Sequence, residues 1–390
     1  MKRIWWTAVA IGCALTSPAL AQTSTNPPPP TPSNPPPQQV TGTDPDFPRG
    51  RVSGLVFGDV YYDVTGNPNH VYTNGADVLP AYIDPSTPSA TNPAAQPNVI
   101  GKDLNGLQIR RVYFQLDNDL SIKVATRFRL EADSKELTSG GKIGVFVKAA
   151  YVQVKNVLPS GNLFVGMTNT PTFENSEEYW GYRAVEKTLV DLRGLGPASD
   201  LGVNLKGFVD GSLRIGYSAM IGDGNGQKPE NNRYKRLYFG LPLRPMENLR
   251  IEPYVDYEDF AGNADRALYK LFLGYEMKRA AIGAELADQV IHVEGARNRE
   301  PFGLSFFARG KATEKVGLFA RYDRWQPNTR AADRIDTDLY IAGVDWEPYK
   351  DVHFMPNIEA TQYRARGAAD APAHHDLQAR VTFYYRFSKP

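Results

Sequence analysis

The chain has 390 residues, a formal charge of +1, 42% hydrophobic residues and a mean hydropathy of −0.42. That hydropathy excludes a bundle of transmembrane helices, each needing roughly 20 nearly uninterrupted apolar residues. The near-balance of 44 basic against 43 acidic residues excludes a nucleic-acid binder working through bulk charge, and a single cysteine excludes a disulfide scaffold or a cysteine-ligated zinc site.

Lys2 and Arg3 precede an apolar run over residues 4–15, followed by Ser17-Pro18-Ala19-Leu20-Ala21. A basic start, a short apolar stretch and Ala-x-Ala predict a secretory signal peptide over residues 1–21. Cys13, the only cysteine, would leave with it. Residues 22–48 are built from Pro, Gln, Asn, Ser and Thr, with prolines at 27–30 and 35–37. This composition forms no core and predicts a disordered, extended periplasmic tether.

Residues 49–390 repeat one pattern: short alternating apolar and polar segments, joined by connections that alternate between tight and long. Sixteen segments begin near Arg51, Leu107, Leu120, Ile143, Asn162, Asp200, Leu213, Arg233, Leu249, Arg266, Ala280, Pro301, Val316, Thr337, Val352 and Leu377. Connections such as Asp117-Asn118-Asp119, Pro159-Ser160-Gly161 and Tyr349-Lys350-Asp351 suit hairpin turns. The long connections include residues 65–106, 172–199 and 365–376. Short turns at one end and long loops at the other predict an all-β transmembrane antiparallel β-barrel of about 16 strands in a bacterial outer membrane.

The alternation itself assigns lipid and water faces. In the third segment Ile122, Val124, Thr126, Phe128 and Leu130 oppose Lys123, Arg127, Arg129 and Glu131. In the ninth, Leu249, Ile251, Val255 and Tyr257 oppose Arg250, Glu252, Asp256 and Glu258. Closure removes the unpaired strand edges that lipid cannot satisfy. Tyr257, Tyr322, Trp346 and Tyr385 fit an interfacial aromatic girdle.

Residues 107–209 resemble the phosphate-selective porin O and P family. The resemblance lies in Ile109-Arg110-Arg111-Val112-Tyr113-Phe114, Val165-Gly166-Met167, Thr170-Pro171-Thr172-Phe173, Trp180, Glu186-Lys187-Thr188-Leu189 and Asp200-Leu201-Gly202-Val203. It implies a homotrimer whose paired arginines, here Arg110 and Arg111, line the narrowest part of the pore and hold the anion. Tyr179 stands where the family carries a phosphate-contacting lysine, and Val147 or Lys148 where it carries a lumenal aspartate.

Phase places Arg111 in the lumen with Tyr113 and Gln115. Arg110 shares the outward phase, so it must lie near the rim, turn inward at a bulge or meet a neighbouring protomer. Arg111, Lys123, Arg127, Arg129, Lys206, Arg214, Arg236 and Arg244 form an expected basic wall, joined by Arg380 and Arg386 through closure. Glu252, Asp256, Glu258, Glu285, Asp323, Asp345, Glu347 and Glu359 form an acidic wall opposite, and Asp59 and Asp63 interrupt the basic arc. A low-dielectric wall focuses such a field across a pore.

The loop 172–199 is the expected constriction, with Glu174, Glu177, Glu178, Tyr179, Trp180 and Arg183 and a helix-like run over residues 183–192. His70, His292, His353, His374 and His375 are scattered, mostly in loops; they read as solvated surface, without metal spacing. No nucleophile or phosphate-loop motif occurs, so neither an enzyme, a metal nor a cofactor is expected. The expected function is passive diffusion of small hydrophilic solutes, with preference for phosphate-type anions. The expected partners are the lipid bilayer and small anionic or hydrophilic solutes, with no nucleic acid. A general diffusion porin with little ion preference, or a barrel adhesin or enzyme, is the alternative.

Overall fold

The computed structural model describes residues 47–65, 70–72, 81–82, 98–99, 103, 105–138, 142–209, 211–369 and 375–389. The expected signal peptide and all but the last two residues of the tether lie outside them, as does most of the loop 65–106.

Sixteen barrel strands follow the chain in order, and His70–Tyr72, Ala81–Tyr82 and Asn98–Val99 form a separate small sheet. The barrel strands are β1 (Arg49–Thr65), β2 (Asn105–Asp119), β3 (Val124–Leu137), β4 (Ile143–Leu158), β5 (Gly161–Asn169), β6 (Ser199–Phe208) and β7 (Gly216–Gly222). β8 comes in two pieces, Arg236–Gly240 and Leu243–Met246, both paired with the next strand. Then come β9 (Leu249–Phe260), β10 (Ala264–Glu276), β11 (Ala280–His292) and β12 (Phe302–Lys311). β13 (Val316–Gln326), β14 (Arg334–Tyr349), β15 (Val352–Arg366) and β16 (Asp376–Lys389) complete the set. Each pairs antiparallel with its neighbour, and β1 pairs with both β2 and β16, from Val52↔Lys389 to Thr65↔Leu377. The sheet therefore closes into a barrel without a free edge.

The period of two along each strand decides which side chains meet water. On β9, Glu252, Tyr254, Asp256 and Glu258 are buried inside, while Pro253 and Tyr257 are exposed outside. Val60, Phe114, Leu318, Ile358 and Val381 likewise stand exposed on the outer wall, where only a lipid environment lowers the free energy of such a surface. Tyr257, Tyr322, Trp346 and Tyr385 keep the outward phase.

Two expected strand starts move. Leu120 and Ser121 both donate backbone N–H groups to the Val124 carbonyl, so residues 120–123 form a turn and β3 begins at Val124. Leu213 has φ 56°, the left-handed conformation, and belongs to the turn before β7, which begins at Gly216. Lys123 and Arg214 consequently sit exposed in end-turns, not on the lumen wall.

Candidate constriction zone

The loop between β5 and β6 folds into the barrel. Instead of one helix over residues 183–192, it forms two short ones, α1 (Glu174–Trp180) and α2 (Leu189–Leu192). Gly181 ends α1 in the left-handed conformation at φ 70°. The segment then turns, with the Val185 and Glu186 N–H groups returning to the Tyr182 carbonyl.

Apolar packing holds this loop against one side of the barrel. Trp180 is fully buried, edge-on to Phe307 of β12 and Phe319 of β13, and donates Nε1–H to the Glu186 carbonyl at 2.8 Å. Tyr179 packs on Phe272 of β10, and its carbonyl accepts from Arg309 at 2.6 Å. Val185 joins a cluster with Leu55, Phe57, Leu339, Ile341 and Met355. Phe173, Val190 and Leu195 make a second cluster with Met220, Tyr238, Tyr254, Leu268 and Ala287. Every one of these wall residues is an inward exception to the polar lumen, matched to a loop side chain.

Arg110 fastens the loop's middle to β1. Phe57 pairs with Arg111 and Gly58 with Ile109, so Arg110 is the extra residue of a β-bulge and turns inward. Of the three expected resolutions, the structure adopts the bulge. Gly58 is required there, since a Cβ would lie 2.0 Å from the Gln108 carbonyl oxygen. Arg110 is wholly buried, meets Asp59 at 2.6 Å, and donates to the Ala184 and Val185 carbonyls of the loop. Asp59 also accepts from Thr382 Oγ1 at 2.6 Å and Gln108 at 3.2 Å.

The inner wall of β2 to β4 carries a buried cluster of charged side chains. Arg111 meets Glu131 at 2.5 Å and lies over Phe57 and Tyr113. Lys148 shares Glu131 at 3.1 Å. Arg127 meets Asp117 at 2.6 Å and lies over Tyr151. Arg129 donates to Gln115 Oε1 at 2.6 Å and lies over Tyr113; among the described residues it makes no contact with a carboxylate. Opposite stand Glu177 and Asp191 of the loop, both paired with Arg183 at 3.1 and 3.0 Å. Arg111 and Lys148 act on Asp191 from across the gap, and Arg111 on Glu177 as well. Glu174 pairs with Lys206 of β6, and Glu178 lies near Arg244.

Burial pushes the Glu177 carboxyl up to about 7; Arg183 opposes the shift and Asp191 adds to it. Burial acts on Asp191 too, but Arg183 and Lys187 outweigh it and hold that carboxyl below its usual range. Burial therefore works against charge on both loop acids, and the Arg183 guanidinium works for it.

The expected basic and acidic walls do not survive as single-sign surfaces. Arg236 meets Asp256 at 2.7 Å, Lys270 meets Glu252 at 2.8 Å, Arg266 meets Glu258 at 2.5 Å and Arg321 meets Asp323 at 2.5 Å. Arg380 pairs with Glu359 and lies 3.8 Å from Glu186 of the loop. Lysines and arginines of the later strands neutralise much of the acidic side, because cross-strand neighbours of opposite sign pair first. His353 is a further correction: it lies buried on β15 and bonds Asp345 at 2.8 Å. Sequence phase alone missed Lys148 and Asp117 as members of this zone: Lys148 is the extra residue where Arg129 pairs with Ala149 and Leu130 with Val147, and Asp117 follows Gln115 on the inward phase.

A closed antiparallel barrel of sixteen strands has counterparts of known structure. The outer membrane channel DcaP of Acinetobacter baumannii is similar at 11% identity over 89% of this chain and 100% of that one, with TM-score 0.61. The fold is that of the outer-membrane porins. An anion-selective porin from Comamonas acidovorans is similar at 13% identity over 87% of this chain and 100% of that one, with TM-score 0.59. Salmonella typhi OmpF, solved with daunomycin, is similar at 10% identity over 87% of this chain and 97% of that one, also with TM-score 0.59. No protein-family model matches the chain, and no curated protein matches it. The barrel, its apolar outer belt and this fold place the protein in a bacterial outer membrane.

Proposed function

We propose that the chain is a non-enzymatic porin for passive diffusion of small hydrophilic solutes, with a preference for small anions of the phosphate type. Arg129 carries the proposal. It is buried on β3 at 4% exposure, and among the described residues its side chain bonds the neutral Gln115 and no carboxylate. Arg127 is its neighbour on the same face of β3, and Arg111 lies two same-face steps along the register, opposite Asp133. Guanidinium suits transient contact with two anion oxygens, since its fork matches their spacing. The resemblance to the phosphate-selective porins implies this role for Arg110 and Arg111, of which Arg110 is bound instead by Asp59 and the loop, and one structural neighbour is described as anion-selective.

Reversal potentials across a planar bilayer in a salt gradient test the proposal. The wild-type channel is expected to prefer chloride over potassium and to lose conductance when phosphate is added. Arg111→Ala, Arg127→Ala and Arg129→Ala together should move the ratio toward cations, because Asp117, Glu131 and Asp133 remain. A triple variant that conducts with the wild-type ratio refutes the arginine mechanism. A second reading, a general porin with little ion preference, is favoured by the carboxylates on Arg111 and Arg127, and gives a ratio near one in the same measurement.

The remaining assignments belong to the same reading. Residues 1–21 act as an export signal and residues 22–48 as a periplasmic tether, which N-terminal sequencing of the mature chain checks. A homotrimer buries part of the apolar outer wall; one structural neighbour is described in trimer form. Light scattering in mild detergent showing only a monomer would exclude it.

A further inference from the structure

The outer wall carries one feature that diffusion through the lumen does not use. On β13, β14 and β15 the outward phase is apolar up to Tyr322, Tyr340 and Ala360, which are adjacent in the register. Further toward the external end the same phase becomes polar and charged, with Arg324 and Gln326 on β13, Arg334, Asp336 and Asp338 on β14, and Gln362, Arg364 and Arg366 on β15. Thr337, Leu339 and Ile341 point inward between them, Thr337 accepting from Arg193 of the internal loop at 3.3 Å, so the outward assignment is fixed.

The side chains form a compact rosette. Asp336 meets Arg334 at 2.9 Å, Arg324 at 3.1 Å and Arg366 at 3.2 Å, with Gln326 at 3.3 Å. Asp338 meets Arg364 at 2.5 Å and Arg324 at 2.9 Å, and accepts from Tyr322 at 3.0 Å. Both carboxylates are fully covered, while the Arg364 and Arg366 side chains remain about half exposed, at 51% and 50%. Four guanidinium groups surround two carboxylates, leaving two positive charges in excess. The Tyr322–Tyr340 pair, with ring centroids 5.2 Å apart, lies directly below.

We propose that this rosette binds a phosphate-bearing lipid headgroup of the outer leaflet. Tyrosines on the outer wall of a barrel mark the edge of the hydrocarbon layer, so a cation cluster further toward the external end lies at headgroup height. Excess charge at that level attracts anionic lipid, and arginine binds phosphate oxygens in pairs. The two buried aspartates hold the four forks in place without cancelling them.

Arg364→Gln with Arg366→Gln tests the proposal while preserving the fold, because Arg324 and Arg334 still balance both aspartates. The protein is purified in mild detergent, mixed with a bis-phosphorylated glycolipid, and the lipid retained per barrel is read by native mass spectrometry. The double variant is expected to retain less by about tenfold or more, as befits loss of two charge-assisted contacts. The same glycolipid without its phosphates should be retained poorly by both proteins, and inorganic phosphate at millimolar concentration should displace little. Equal retention by variant and wild type overturns the proposal. So does full displacement by inorganic phosphate, which would make the rosette a free-anion site. Dissociation of an oligomer in the variant with unchanged lipid retention also overturns it, assigning the rosette to a subunit contact.

Discussion

Arg110 and Arg111 are consecutive, yet both side chains enter the barrel, because the bulge opposite Phe57 and Gly58 inserts Arg110 into the ladder. The pair then divides. Arg110 disappears beneath the internal loop, bound to Asp59 and two loop carbonyls, while Arg111 pairs with Glu131 on the inner wall. One arginine is tied to the internal loop and the other to a carboxylate of the wall.

Arg110→Ala should therefore loosen the loop. It strands the buried Asp59 carboxylate and frees two loop carbonyls, and breaking such a buried pair costs about 3–5 kcal/mol. The temperature at which the folded band shifts on an unboiled gel should fall, and single-channel current should become noisy. An unchanged transition and quiet current would show that Arg110 does not hold the loop.

Trp180→Ala removes the apolar anchor. Truncating a fully buried tryptophan costs about 3–5 kcal/mol, here borne by the loop and its seat on Phe307 and Phe319. The barrel ladder is untouched, so folded trimer or monomer should still form, with a larger conductance. A smaller or equal conductance would mean that the loop does not set the pore width.

Glu131→Gln should raise anion preference. Glu131 is shared by Arg111 and Lys148, and its neutralisation leaves both cations facing the passage. The shift in reversal potential should fade toward 1 M salt, where the screening length is about 3 Å. A shift toward cations would place the selectivity elsewhere in the lumen.

Glu177 should make the passage sensitive to pH. Burial raises its carboxyl to about 7 from an ordinary 4.5. A raised carboxyl favours the folded loop while protonated; that contribution is complete below about 4.5 and is lost as pH rises through about 7. The same ionisation adds a negative charge beside Arg183, so anion preference should be greater at pH 5.5 than at pH 8.5, on either side of that roughly neutral titration. Glu177→Gln should abolish the step. Its persistence in that variant would assign it to another group.

The sequence by itself determined the barrel. A period of two repeated sixteen times, with turn residues at one end and long connections at the other, admits one closed solution in lipid, since every strand must satisfy its backbone groups on both edges. It also marked the loop 172–199, and alternation correctly turned Arg111, Arg127, Arg129, Lys206, Arg236 and Arg380 inward. Only the tertiary structure decided what those charges meet. Ion pairing depends on register between strands and on which wall the internal loop covers, and both are set by contacts far apart in sequence. Asp59 reaches Arg110 across 51 residues, and Thr382 reaches Asp59 across 323. A bulge reversed the phase of Arg110, a left-handed Leu213 moved Arg214 off the wall, and cross-strand pairing turned two expected walls of opposite sign into local pairs, because a period of two records the face of a side chain but not its neighbour.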